Sequence, residues 1–227
     1  MRPVAHAPEQ VIPRALAQAV AHLPYWFVIG GHAVRCSIPY RPSRDVDIGV
    51  GAPTELDDLL AVLAAAGALD IDERSHDTVH LRWNGINISV FVVPFLIPFV
   101  VDRCLDTTGI LATKLHAILD RGARRDFFDL YVTLQYHRLG IAECLRAIRC
   151  VYQQDVNEGL LLRALTYFDD ADREAALPGE GPNDWRTVKE FLLDNVGVLL
   201  VPPGRPLDIQ SRRVDVAQTS SGAPSGP

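Results

Sequence analysis

Residues 30–50 read GGHAVRCSIPYRPSRDVDIGV. Two glycines open the stretch, and two aspartates one residue apart stand near its end. Before it, YWFVIG at 25–30 is a short aromatic and β-branched run closing on glycine, the pattern of a buried strand. HAVRCSI fits a short helix, PYRPS interrupts it, and DVDIGV at 45–50 is the next strand. On a strand, positions i and i+2 share a face with Cα atoms roughly 6.5–7 Å apart. Asp45 and Asp47 therefore stand side by side and repel unless a positive charge lies between them. Mg²⁺, a hard cation with oxygen ligands that substrate phosphates often complete, would answer that need. An isolated Asp-x-Asp is more often a strand cap at the first position and a solvent-facing side chain at the second. Gly30-Gly31 bears on this choice. A glycine pair between strand and helix lets backbone N–H groups approach a phosphate at the positive end of a helix dipole, although Gly-Gly alone is also a common turn. Together the two features place a phosphate cradle one helix before a carboxylate pair.

Outward from this centre, residues 9–23 place Val11, Ile12, Leu16, Ala19, Val20 and Leu23 on one helical face, with the helix proper starting at Pro13. Thr54 is a candidate N-cap for an apolar series that stops near Gly67. DTVHLRW at 77–83 and INISVFVV at 86–93 alternate as strands, joined by the hairpin signal Asn84-Gly85. This order gives a mixed sheet covered by helices, an α/β or α+β arrangement. Beyond about residue 105 only helical patterns remain, at 107–121, 126–138, 140–151, 157–167 and 184–199. The expected organisation is an α/β core over 1–104, a helical region over 105–201 that completes the site, and a proline-, serine- and glycine-rich disordered tail over 202–227. No internal repeat is visible.

The 227 residues are 48% hydrophobic and 22% charged, with a formal net charge of -6, which suits a globular chain and excludes a uniformly basic nucleic-acid binder. A local basic face stays open. Lys114 and Lys189 are the only lysines against twenty arginines. Cys36, Cys104, Cys144 and Cys150 show no metal-ligand spacing and read as small buried hydrophobes or reduced surface thiols of a cytoplasmic protein. There is no signal-peptide pattern. The most apolar run, 90–101, carries Pro94 and Pro98 and falls far short of the roughly 20 residues needed to span a bilayer.

GGHAV followed by Arg41-Pro42-Ser43-Arg44-Asp45-Val46-Asp47 resembles the signature of the nucleotidyltransferase superfamily, and more narrowly the AbiEii/AbiGii toxin-type nucleotidyltransferases of bacterial defence and toxin–antitoxin systems. A second block, TKLHAILDRGARRDFFDLY at 113–131, resembles the same family. There a lysine on one helix is followed by a basic residue and an R/K-D-x-x-D-L-Y stretch. Lys114, Arg121, Arg125, Asp126, Asp129 and Tyr131 fill those places. The resemblance covers roughly residues 25–135 and implies a nucleotidyltransferase-like mixed β-sheet with flanking helices. It also implies Mg²⁺-dependent transfer of a nucleoside monophosphate from a nucleoside triphosphate to a hydroxyl, with tRNA or another RNA as acceptor and a cognate antitoxin protein as partner. Asp45 and Asp47 would hold metal, and Gly30, Gly31 and Ser43 would cradle phosphates. Lys114 and Arg121, seven apart and so on one helical face, would meet the triphosphate. Asp126 would support the site, with Asp129 structural. Without the resemblance, Lys114 could equally be the edge of an amphipathic helix, and Asp126 an N-cap partnered by Arg125.

One departure stands out. The superfamily usually carries a third carboxylate on a later strand, and the aligned position here is Ser89, with Asn87 on the same face. Neither is an anionic ligand or a general base, which puts two-metal chemistry in doubt. The activity could use one metal, could recruit Asp77 or Asp126, or could be lost, leaving a nucleotide-binding or protein-interacting relative. Transfer to a protein hydroxyl is a further alternative. His32 could touch a phosphate or fill space. His76, His80 and His116 lack metal-ligand spacing and read as structural. Arg138, Arg146 and Arg149 read as solvated helix arginines, Trp26 and Phe27 as core.

Overall fold

The structure, a computed structural model, describes residues 6–43, 45–153 and 156–200. Arg44 and the tail expected to be disordered lie outside the described residues. Two short helices open the chain, α1 (Pro8–Val11) and α2 (Arg14–Val20), broken at Pro13. β1 (Phe27–Val28) leads into α3 (Gly30–Ser37), and β2 (Val46–Val50) into α4 (Pro53–Ala66). Thr54 does not cap α4. The helix starts one residue earlier, with Pro53 in its first turn and Ala52 as the half-in residue, because proline lacks the N–H that a helix start leaves unpaired.

β3 (Leu69–Arg74), β4 (Thr78–Trp83) and β5 (Ile86–Val92) form a meander. Asn84 and Gly85 both take positive φ, 49° and 80°, the two-residue turn whose twist matches the flanking strands. A 3₁₀ turn over Pro94–Phe99 connects to β6 (Val100–Val101) and β7 (Cys104–Leu105). Then come α5 (Thr107–Asp120), α6 (Arg124–His137), α7 (Ile141–Tyr152), α8 (Glu158–Thr166), α9 (Asp169–Arg173) and α10 (Asp184–Leu200). Among the described residues no helix is long and apolar enough to cross a membrane.

The strands join in one mixed seven-stranded sheet of order β3-β4-β5-β2-β1-β7-β6. β2 runs parallel to β5 and antiparallel to β1. Its alternation explains the motif. Val46, Ile48 and Val50 are buried in the core, where α4 packs on β2 and β5 with Leu56, Leu59 and Leu63. Asp47 and Gly49 face the other way. α5 is the helix on which α6, α7 and α8 pack, and it also meets α3. Trp26 and Phe27 are core, as expected, and the Trp26 indole donates to the Val20 carbonyl at 3.0 Å.

Gly49 is where backbone and ring meet. A Cβ built there would stand 2.4 Å from Phe27 Cε2, because Phe27 is its register partner across β1 and β2. Gly49→Ala is expected to cost about 1–3 kcal/mol by overpacking. A lowered urea midpoint with an unchanged slope should report it, and Phe27→Leu in the same chain should recover part of the loss.

Candidate active site

The turn out of β1 sets the site. Ile29 is extended, and its N–H donates to the Asp47 carbonyl at 3.0 Å. Gly30 then turns with φ 59°, a region that favours glycine. A Cβ on Gly30 would lie 2.2 Å from Asp47 Oδ2, so the carboxylate occupies the volume a side chain would fill. At Gly31 the same construction lies 3.0 Å from Ser43 Oγ and 3.3 Å from Arg41 Nη2. No side chain caps the α3 N-terminus. Ser43 Oγ donates to the Asp45 carbonyl at 3.2 Å, and Asn87 Nδ2 donates to Asp45 Oδ1 at 3.2 Å. Asp47 is half-buried rather than solvent-facing.

Behind these carboxylates lies an ion network. Lys114 on α5 is buried, its ammonium 3.1 Å from Asp126 Oδ1 and 2.5 Å from Asp129 Oδ2. Desolvation works against its charge, but Asp129 and then Asp126 outweigh it, so Lys114 titrates above its ordinary value. Arg121, at the end of α5, reaches Asp126 Oδ2 at 2.8 Å. Burial alone would raise the Asp126 carboxyl. Lys114 and Arg121 reverse that and hold it below the usual carboxylate range. Asp129 also accepts from the Tyr40 hydroxyl and from Arg41, whose Nη2 contacts both its oxygens at 2.9 and 2.8 Å. Asp126 is thus no N-cap. Ala123 holds that position, and the partners of Asp126 are Lys114 and Arg121, not Arg125. Asp129 thus ties α5 to the loop before β2.

A cleft of about 920 Å³ opens over the network, walled by Gly31, Ser43, Asp45 and Asp47 on one side and by Lys114, Arg121 and Arg125 on another. That volume accommodates a nucleotide-sized ligand. Arg125 is exposed and forms no ion pair among the described residues. Burial pushes the Asp47 carboxyl up from its ordinary value, against Lys114, Arg125 and Arg121, which lower it. The far wall is the segment 174–178, tied to the start of α6. Arg124 N–H donates to Glu174 at 3.2 Å, its guanidinium pairs with Glu180, and it lies 4.8 Å over the Trp185 ring.

Do these residues fit a divalent metal? Among the described residues no group of three or more His, Cys, Asp or Glu could hold one. Asp45 and Asp47 offer hard oxygen donors, and Asp47 is a desolvated carboxylate that a cation would relieve. This fits Mg²⁺ held by two carboxylates, with phosphates and water completing its shell.

The cleft therefore brings together Gly31, Ser43, Asp45, Asp47, Lys114 and Arg121, with Gly30 against Asp47 and Asp126 directly behind. Asp77 is elsewhere, in the exposed β3–β4 turn with Ser75. His32 is buried and does not line the cleft. Burial lowers its pKa to about 4, and its Nδ1 has no hydrogen-bond partner among the described residues. Arg146 and Arg149 pair with Glu143 and Glu158 on the surface. Sequence reasoning missed His80, which lines the cleft and hydrogen-bonds through Nδ1 to Ser89 Oγ at 2.8 Å. A signal was present: a two-residue turn at Asn84-Gly85 pairs Trp83 with Ile86, and counting back pairs His80 with Ser89.

The comparisons with known proteins agree with this picture. The model of a family described as "Nucleotidyl transferase AbiEii toxin, Type IV TA system" matches residues 87–197. That span includes Lys114, Arg121, Asp126 and Asp129 but not the glycine pair or the two aspartates. The uncharacterized protein aq_aa25 of Aquifex aeolicus (strain VF5) is 30% identical over 125 residues, 52% of this chain and 59% of that one. The chain thus spans less than two thirds of the length of that relative. A crystal structure from H. pylori, described as a "putative nucleotidyltransferase", superposes with a TM-score of 0.54 at 17% identity, covering 85% of this chain and 92% of that one. The chain resembles the AbiEii nucleotidyltransferase toxins, and its mixed sheet with flanking helices is nucleotidyltransferase-like.

Asp126→Asn removes one of the two carboxylates facing a buried ammonium and should cost about 3 kcal/mol near neutral pH. The sign with pH follows from the lowered Asp126 pKa. The stability it contributes is complete above the usual carboxylate range and lost as pH falls through the lowered value. Chemical denaturation of wild type and variant should therefore converge on acidification.

Proposed function

We propose that the protein is a nucleotidyltransferase that moves a nucleoside monophosphate from a nucleoside triphosphate to an acceptor hydroxyl, in the manner of a toxin of a toxin–antitoxin or phage-defence system. The observation that carries this reading is the seating of Asp47 against Gly30 in a cleft lined by Lys114, Arg121 and Arg125. A glycine turn for phosphates, a carboxylate pair and a set of cations then share one cleft.

In this reading Asp45 and Asp47 hold Mg²⁺, which supplies charge neutralisation at the phosphates when bound. The uncapped first turn of α3, with Gly30 and Gly31, directs N–H groups at the terminal phosphates. Ser43 assists from the loop before β2. Arg125 and the outer face of Arg121 meet the spread negative charge of the triphosphate. Lys114 adds positive potential from behind but is largely spent on Asp126 and Asp129. The acceptor oxygen forms its bond to the α-phosphorus, the bond to the β-phosphate oxygen breaks, and pyrophosphate carries that electron pair away. Positioning and electrostatics do most of the work in such transfers.

RNA, with tRNA foremost, is the proposed acceptor, and an antitoxin protein the proposed partner. Both rest on the family resemblance. A cytoplasmic setting fits the four free cysteines.

The test is a transfer assay with Mg²⁺, total tRNA and each α-labelled nucleoside triphosphate in turn. Label should reach RNA with wild type and fall at least about a hundredfold with Asp47→Asn. Label on the protein itself would move the acceptor to a protein hydroxyl. No transfer by wild type, with nucleotide binding retained, would favour a binding module that has lost catalysis. Arg125→Ala should raise KM for the triphosphate about tenfold with a smaller change in kcat, which steady-state kinetics would show.

A further inference from the structure

A row of three polar side chains crosses the sheet inside the cleft. Asp47 on β2 is the register partner of Ser89 on β5, and Ser89 that of His80 on β4. All three line the cleft. Successive strands lie about 4.8 Å apart, so the row extends from Asp47 across two neighbouring strands within the cleft. His80 Nδ1 and Ser89 Oγ are 2.8 Å apart, and the Phe91 ring meets the imidazole edge-on with centroids 6.0 Å apart. The pair is therefore held from two sides.

Nucleotidyl transfer requires the attacking hydroxyl to lose a proton. Asp45 and Asp47 are assigned to the metal, and Lys114, Arg121 and Arg125 are cations. Two other carboxylates line the cleft. Asp72 stands on the edge strand β3, beyond β4, and Glu174 accepts from Arg124 on the opposite wall. Within the row itself, the group left to accept a proton is the imidazole, hydrogen-bonded to Ser89.

We infer that Ser89 and His80 form the proton-accepting pair of the transfer, Ser89 touching the acceptor hydroxyl and His80 acting through it. This rests on the nucleotidyltransferase reading. As the acceptor oxygen bonds to the α-phosphorus, its proton passes to Ser89 Oγ while the Ser89 proton passes to His80 Nδ1. The imidazolium then releases a proton to water. The charged and titratable groups around His80 include Glu73, its register partner on β3, Arg82 two positions along β4 with its partner Asp72, Asp47 two strands away, and Arg125 and Glu174 lining the same cleft.

The experiment measures transfer from α-labelled nucleoside triphosphates to total tRNA across pH for wild type, His80→Gln, Ser89→Ala, Ser89→Asp and the double variant His80→Gln/Ser89→Asp, with Asp47→Asn as control. Nucleotide affinity is titrated for each. His80→Gln and Ser89→Ala should lower kcat about 10²–10⁴-fold with nucleotide affinity within about threefold of wild type. The wild-type kcat should fall on acidification along a limb that His80→Gln lacks, since only the neutral ring accepts a proton. Ser89→Asp should restore much of the rate and make it independent of residue 80, so that the double variant keeps at least about a tenth of the single variant's activity. His80→Gln within threefold of wild type, equal loss of nucleotide affinity and rate, or a double variant as slow as His80→Gln would each overturn the assignment while leaving the nucleotidyltransferase reading in place. A wild type that transfers no more label than Asp47→Asn removes that reading, and this inference with it.

Discussion

A lysine ammonium almost wholly withdrawn from water must be met by negative charge, and the architecture around the cleft follows from how Lys114 is met. Asp126 and Asp129 stand three residues apart on α6, so both reach the same side of the helix, and both contact the Lys114 ammonium on α5. Two carboxylates buried against one lysine would leave an excess of negative charge. Arg121 and Arg41 supply the balance. Arg41 stands in the loop before β2, and Tyr40 in the same loop donates to Asp129. The ion network thereby fixes the α5–α6 crossing and the approach of the Asp45-x-Asp47 strand in one arrangement. Buried ion pairs of this kind add little net stability over a well-packed apolar core. Their effect here is geometric: they set where the Asp45 and Asp47 pair begins.

Three cations against two carboxylates also leave the network with one positive charge. With Arg125 beside it, positive charge gathers on the wall of the cleft formed by Lys114, Arg121 and Arg125, facing Asp45 and Asp47, within a chain of formal net charge -6. Local field and net charge are separate quantities, and a phosphate-rich ligand responds to the first.

Much of this was legible in the sequence because the signals were local. The helices over 107–199 recur with apolar periodicity and appear within a residue or two of their observed bounds. Asn84-Gly85 announced its hairpin, and Gly30-Gly31 with Asp45 and Asp47 announced the cleft. What escaped had other causes. β3, LDIDER, is a mostly exposed edge strand whose apolar alternation is limited to Leu69 and Ile71, too short to mark a strand. α9 is five residues long. The link between Arg41 and Asp129 spans 88 positions, which no pattern in a short window can show. His80 could have been paired with Ser89 by counting through the hairpin, but the parallel pairing of Ser89 with Asp47 is set by tertiary packing alone.

The wall formed by residues 174–178 differs in kind from the rest of the cleft. Its anchors, Arg124 with Glu180, are 56 positions apart, whereas the carboxylates and their neighbours in β1, β2 and β5 come early in the chain. During synthesis, where N-terminal segments fold first, the half that carries Gly31, Ser43, Asp45 and Asp47 takes shape while that wall has yet to be made. A growing chain therefore carries an open-sided cleft. Its enclosure waits until residues 174–180 are made, when Glu174 and Glu180 can meet Arg124.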